Sequence, residues 1–142
     1  MSIWHATPTV EEANRVNPGT MMDHLGIEFT EIGDNYLCAS MPVDERTKQP
    51  MGLLHGGASV VLAETLGSAG SVLTLNPETH FCVGLEINAN HIRSARSGLV
   101  YGRGEPIHIG RSTQVWGIRI EDEQQRLVCT SRITMSVLEK RG

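Results

Sequence analysis

Apolar and polar residues alternate over most of the second half of the chain, with the period of two that belongs to strands with one buried face. Four long runs carry the pattern: Phe81 to Ala89, Leu99 to Ile109, Thr113 to Glu121 and Arg126 to Leu138. In the first, Phe81, Val83, Leu85 and Ile87 fall on the face expected to be buried, and Cys82, Gly84, Glu86 and Asn88 on the other. Asp122-Glu123-Gln124-Gln125 reads as the hairpin turn between the last two runs. Nearer the start, Ile27 and Phe29, then Leu37, Ala39 and Met41, alternate on either side of Gly33-Asp34-Asn35, which predicts a hairpin over 27–42.

One stretch breaks this rhythm. Ala58 to Leu75 is the long helix candidate, ended by Asn76-Pro77. Its apolar residues, at 60, 61, 62, 63, 66, 69, 72, 73 and 75, go nearly all the way round, so the helix is expected to be buried rather than to lie on a surface. The small residues Gly67, Ser68, Ala69, Gly70 and Ser71 are expected to let another backbone come close. Before the first hairpin, Thr9-Val10-Glu11-Glu12 has the capping-box pattern that opens a short helix, and Asn17-Pro18-Gly19 stops it. A further turn over Thr20 to Leu25 ends at Gly26. The order is a short N-terminal helical segment over 1–26, then a core over 27–138 of strand, strand, helix and four strands. That is an α+β domain spanning residues 1–142, one helix against an antiparallel sheet of about six strands. A single helix leaves sheet edges open, so dimerisation is expected.

Composition removes several classes of function. The chain is 39% hydrophobic and 20% charged with mean hydropathy −0.16, the profile of a soluble domain rather than a disordered chain. Its net charge of −4 speaks against a general affinity for nucleic acid or for anionic membrane. The longest apolar-leaning run, Met51 to Leu75, is interrupted by His55 and Glu64 and is poor material for a membrane span. No leader pattern opens the chain at Met1-Ser2-Ile3-Trp4-His5. Cys38, Cys82 and Cys129 form no C-x-x-C and no even framework, which fits a reducing, cytoplasmic setting. The six histidines show no H-x-x-x-H spacing, and no Gly-rich phosphate loop leads from a strand into a helix, so neither metal nor cofactor is expected. Cys82 and Trp116 read as core.

Candidate chemistry concentrates at Gln49-Pro50-Met51-Gly52-Leu53-Leu54-His55-Gly56-Gly57, followed by Glu64 and Ser68. Glycines at a helix start let a ligand approach free backbone N–H groups, and the helix dipole favours developing negative charge there. That is the raw material of an oxyanion site. Glu64 is the lone carboxylate between Glu45 and Glu78, and in an apolar helix it is expected to be desolvated, as suits a general base or nucleophile. Ser68 follows one turn later on the same face. Taken singly, each has an ordinary structural reading: glycines punctuate helix starts, a lone Glu pairs with an Arg, and a loop His bonds to backbone.

The coincidence of these residues carries a resemblance. Gln49-Pro50-x-Gly52-x-Leu54-His55-Gly56-Gly57 with Glu64-Thr65-x-Gly67-Ser68 resembles the hotdog-fold thioesterases. The likeness is to the branch of Arthrobacter-type 4-hydroxybenzoyl-CoA thioesterase and the enterobacterial aroyl-CoA and 1,4-dihydroxy-2-naphthoyl-CoA thioesterases. Val83-Gly84, Asn88-Ala89-Asn90-His91-Ile92-Arg93 and His108-Ile109-Gly110-Arg111 extend it along the chain. The resemblance implies a long central helix wrapped by a curved antiparallel sheet, paired into homodimers and often tetramers with the site at the subunit interface. It implies Glu64 as nucleophile or base on water, Gly56 N–H on the thioester carbonyl, Gln49 and His55 orienting the thioester and leaving thiol, and Ser68 placing the acyl end or the water. It also implies that Gly84, His91, Arg93, His108, Gly110, Arg111 and Ser112 meet coenzyme A.

Charge agrees with that last implication. Residues 91–111 hold Arg93, Arg96, Arg103 and Arg111 against Glu105, a basic stretch in an acidic chain, and guanidinium forks suit phosphate oxygens. A solvated strand face with surface ion pairs claims Arg96 and Arg103 more readily. Ser94 stands where relatives often have Pro. The expected function is hydrolysis of a small, aromatic acyl-CoA thioester to acid and CoA. The alternatives are action on acyl-carrier-protein thioesters, hydration or dehydration of acyl thioesters on the same fold, and a non-catalytic acyl-CoA-binding dimer.

Overall fold

A computed structural model describes residues 1–141. The elements are α1 (Val10–Arg15), α2 (Met21–His24), β1 (Glu28–Ile32), β2 (Leu37–Pro42), α3 (Gly56–Thr74), β3 (His80–His91), β4 (Leu99–Ile109), β5 (Thr113–Glu121) and β6 (Leu127–Glu139). The strands form one sheet in the order β1-β2-β4-β5-β6-β3, every neighbouring pair antiparallel, with α3 packed on one face. This is the hotdog arrangement that the motifs imply. No helix is long and apolar enough to cross a membrane among the described residues.

The helix buries one face, not all of it. Ala58, Ser59, Leu62, Ala63, Leu66, Gly67, Gly70 and Ser71 are buried, a stripe at the three-four spacing of one helix side. Burial of Leu62 and Leu66, both fully enclosed, contributes about 1.5–3 kcal/mol each. The apolar residues outside that stripe, among them Val61 and Val72, look away from the sheet, which is why the pattern read as apolar all round. The small residues also serve differently from expectation. They admit side chains of the sheet, not a second backbone: a Cβ on Gly67 would run into Ile133, and one on Gly70 would lie 2.7 Å from the Trp116 ring.

Strand β3 overturns its predicted pleat. Phe81, Val83 and Leu85 are 41%, 47% and 63% exposed, while Cys82, Ile87 and Ala89 pack against the core. The cause is a register shift against β6 between Gly84 and Glu86, a bulge that re-phases the alternation. Even-numbered residues face α3 before it and odd-numbered ones after it. Trp116 is fully buried as expected, and Cys82 is half-buried. Asp122 pins the β5–β6 turn, its Oδ1 accepting from the Gln124 and Arg126 N–H groups at 2.9 Å each.

The N-terminal segment is strapped across the open side of α3. Trp4 stacks on Trp116 with ring centroids 6.2 Å apart and donates its indole N–H to the Gly33 carbonyl. His5 N–H reaches the Leu73 carbonyl near the end of α3. Thr9 caps α1 by accepting from Glu12 N–H, as its sequence pattern requires. Asn14 then imitates a strand neighbour: its amide donates to the Phe29 carbonyl at 3.0 Å, and its carbonyl oxygen accepts from Phe29 N–H at 2.8 Å.

Candidate active site

Helix α3 starts two residues earlier than the pattern predicts, because His55 is its N-cap. The His55 ring Nδ1 accepts from Gly57 N–H at 2.8 Å. A neutral ring accepting at Nδ1 carries its proton on Nε2, which leaves a donor facing outward. The His55 carbonyl accepts from the N–H groups of Ala58 and Ser59. Of the first-turn donors, Gly56 N–H alone has no acceptor among the described residues. It sits at the positive end of a 19-residue helix, the place where a carbonyl oxygen gaining negative charge is most stabilised. Gln49 is half-buried in the loop before it, its side-chain oxygen accepting from Met51 N–H.

His91, expected to meet coenzyme A, ends β3 directly against this helix start. A Cβ on Gly56 would lie 2.7 Å from His91 Nε2. So His55, Gly56 and His91 form one cluster, with Gln49 in the loop that leads into it.

Glu64 and Ser68 form another, two and three turns further along α3. Glu64 is exposed, not desolvated as its apolar helix suggests, because it projects from the flank of α3 over the open edge strand β3. No cation pairs with it among the described residues, so the structural reading of a helix acid held by an Arg does not apply. Its carboxylate lies against β3 at Gly84: a Cβ there would sit 2.7 Å from Glu64 Oε2. Gly84 therefore belongs with the carboxylate in this chain. Among the described residues the Ser68 hydroxyl has only the Met135 sulfur as acceptor, at 3.9 Å, a weak bond that leaves it free to engage a ligand.

Glu64 and Ser68 share a cavity of about 710 Å³ that lies between α3 and the N-terminal strap. Ala13, Val16, Met21, Met22 and Phe29 line its far side. The sequence gives little sign of this wall. Met21-Met22 is an apolar pair in a short helix, but nothing local says that it faces α3.

The basic stretch does not form one patch. Arg93 N–H donates to the Val128 carbonyl near the start of β6, whereas the Ser112 carbonyl accepts from Val137 N–H near its end. Nine residues of strand, about 30 Å at ~3.3 Å each, separate the two places. His108, Gly110, Arg111 and Ser112 cluster at the β4–β5 hairpin, with the His108 ring folded over Gly110. Arg103 is committed elsewhere, to Glu105 at 2.6 Å and to the face of Tyr36. Neither Arg93 nor Arg111 has an ion pair among the described residues.

Comparison with known proteins fits this geometry. The family described as the thioesterase superfamily matches residues 51–129. The chain is 54% identical to the 1,4-dihydroxy-2-naphthoyl-CoA hydrolase of Escherichia coli K12, over 96% of this chain and 99% of that one. It is 51% identical to the proofreading thioesterase EntH of Cronobacter turicensis, over 96% and 98% of the two chains. Among solved structures, a mutant of thioesterase PA1618 from Pseudomonas aeruginosa is similar at TM-score 0.96 and 49% identity, over 98% of this chain and 100% of that one.

Proposed function

The chain belongs to the thioesterase superfamily and hydrolyses acyl-CoA thioesters, and from that premise we propose that its substrate carries a small aromatic acyl group and that Glu64 and Gly56 perform the chemistry. The observation that carries the reading is one helix with an unshared N–H at its start and its single carboxylate, Glu64, opening into a mostly apolar cavity. The thioester carbonyl accepts from Gly56 N–H, and the tetrahedral intermediate's oxyanion is held by the helix end. Glu64 supplies the attack, either by adding its own oxygen to the carbonyl carbon or by taking a proton from water that adds. The C–S bond then breaks and CoA leaves as the thiol, taking on the base route the proton that Glu64 removed from water; on the covalent route a water cleaves the mixed anhydride left on Glu64, freeing the acid and the carboxylate and giving its proton to the thiolate. Gln49 and His55, whose Nε2–H points outward, orient the thioester and the departing sulfur. Ser68 places the acyl end or the water. The cavity's apolar lining and the E. coli relative's naphthoyl substrate support an aromatic acyl group.

Thiol release tests this directly, against aroyl-, short-chain and long-chain acyl-CoA and the corresponding acyl-carrier-protein thioesters. Aroyl-CoA is expected to react fastest. Tight binding of every thioester with no thiol released would instead make the protein a non-catalytic acyl-CoA-binding dimer.

The two clusters imply assembly. Gly56 and Glu64 are eight residues apart, about 12 Å along the helix at 1.5 Å per residue, too far to serve one carbonyl. A twofold partner solves this, with each site taking Gln49, His55 and Gly56 from one chain and Glu64 and Ser68 from the other. Strand β3 is an open edge of 12 residues, with His91 at one end and Gly84 towards the other. Antiparallel pairing of two such edges sets the His91 end of one against the Gly84 end of the other. Through β6, that end adjoins the β4–β5 hairpin, since Val83 and Thr113 both pair with Ser136. The same operation therefore brings the partner's Arg93 towards Arg111, and we assign the CoA phosphates to that pair, with Gly110, Ser112 and His108 shaping the hairpin. Exposed Phe81, Val83, Leu85, Ile107 and Leu138 supply an apolar outer face for a dimer of dimers. Three free thiols suit a cytoplasmic setting.

Two expected results follow at this point. Changing Arg93 or Arg111 to Ala should raise KM for a CoA thioester about 10-fold, the scale of one charge-assisted hydrogen bond, and leave a truncated pantetheine thioester far less affected. Equal loss on both substrates would make the arginines structural. Gly84→Ala puts a carbon 2.7 Å from Glu64 Oε2, so the carboxylate must swing aside. It should lower kcat about 10-fold or more with little change in KM. An unchanged kcat would mean that Glu64 acts from another position.

A further inference from the structure

We propose that the N-terminal strap, residues 5–22, is the acyl-selecting wall of this enzyme, with Ala13 on α1 and Met22 on α2 setting how large an acyl group the site accepts. The inference rests on Glu64 being the reacting carboxylate, because the acyl group must then lie where Glu64 and Ser68 open into the cavity. That cavity is about 710 Å³, far beyond the packing voids of a folded core and within the ~300–1,000 Å³ of ligand pockets.

The strap is a built element, not a loose end. The Trp4–Trp116 stack, the His5 to Leu73 hydrogen bond and the reciprocal Asn14–Phe29 pair fix its height above α3. Asn17 holds the turn between the two short helices, its amide donating to the Ile27 carbonyl, and Ile27 N–H donates to the Met22 carbonyl. The backbone is thus held while side chains from Ala13 to Met22 stand over a hollow. Three of the hydroxyls beside the hollow are already used: Thr20 donates to the Asn17 carbonyl, Thr65 to the Val61 carbonyl, and Thr9 caps α1; Thr7 and Glu12 on the strap and Glu64 and Ser68 on α3 are the other polar lining. With Thr20 engaged, what the strap presents from Ala13 to Met22 is the apolar bulk of Ala13, Val16, Met21 and Met22, which discriminates by size and shape. Methionine is suited to such a wall because its unbranched thioether adapts to the shape of what it covers.

The test fills and opens the hollow in turn. In Ala13→Phe, a ring replaces a methyl at the wall; Met22→Ala removes a side chain. Each is measured for kcat/KM over acetyl-, hexanoyl-, benzoyl- and naphthoyl-CoA. Binding of the matching analogues, in which a methylene replaces the thioester sulfur, reads the same wall without hydrolysis. Ala13→Phe should lower the naphthoyl-to-acetyl ratio at least 10-fold in both readouts, and Met22→Ala should shift the preference towards longer or wider acyl groups. If Ala13→Phe does not fold, the Met22→Ala shift decides the matter alone. Ratios that stay put in the folded variants, by hydrolysis and by binding, would overturn the proposal. If hydrolysis fails in the unmodified protein while the analogue ratios shift as stated, the catalytic reading falls and the wall stands.

Discussion

Glu64→Gln should cut kcat by at least about 100-fold while leaving the fold unchanged. The substitution keeps the size of the side chain and a carbonyl oxygen, and removes the charge that makes the oxygen a nucleophile or a base. General-base or nucleophilic participation is worth about 10²–10⁴ in rate, which sets the expected floor. Stability should stay within about 0.5 kcal/mol, since Glu64 is exposed and has no ion pair among the described residues. Thermal melting and thiol release on the same preparation separate the two effects. Near-normal turnover in a folded variant would sink the assignment of Glu64, whatever the fate of Gly56. Because the carboxylate is exposed in the single chain, the proposed mechanism leaves its desolvation to the bound acyl group and to the second chain proposed above.

Strand and helix order was legible because period and turn chemistry are local. The predicted spans Leu99 to Ile109 and Thr113 to Glu121 coincide with β4 and β5. The pattern places the start of α3 two residues late because its cap is a histidine, whose ring nitrogen does what Ser or Asp usually does with oxygen. Contacts between distant parts of the chain were not legible. A bulge at Leu85 costs one residue of register and turns Phe81 and Val83 to the outside, which no alternation count can foresee. The basic stretch is continuous only along the chain, whereas β3 and the β4–β5 hairpin put Arg93 and Arg111 at opposite ends of β6. The cavity wall is held by Trp4 on Trp116 and Asn14 on Phe29, contacts that span 112 and 15 residues of sequence. Glu64 and Gly56 stand out in the sequence by residue type and by their spacing along one helix, and the fold leaves the carboxylate without an ion pair and the N–H without an acceptor among the described residues. Only their separation hints that two chains are needed.

That hint gives the second large effect. A preparation of His55→Ala and a preparation of Glu64→Ala should each be nearly inactive. The first loses the ring that orients the thioester and caps α3, at a cap cost of about 1 kcal/mol that a folded dimer tolerates. The second loses the carboxylate. If the site is shared as proposed, a mixed dimer has one site with both defects and one with neither, because the His55 side comes from one chain and the Glu64 side from its partner. Random reassociation after joint unfolding makes about half of the dimers mixed, and each of these has one intact site of two, so roughly a quarter of wild-type activity should return. The measurement needs two tags to show that mixed dimers have formed, and a mixture of the two variants without unfolding as its baseline. Recovery to about a quarter would join Gly56 and Glu64 across the twofold. Mixed dimers with no recovery would put His55 and Glu64 in the same site of one chain, and the 12 Å between Gly56 and Glu64 would then have to be bridged by water rather than by a partner.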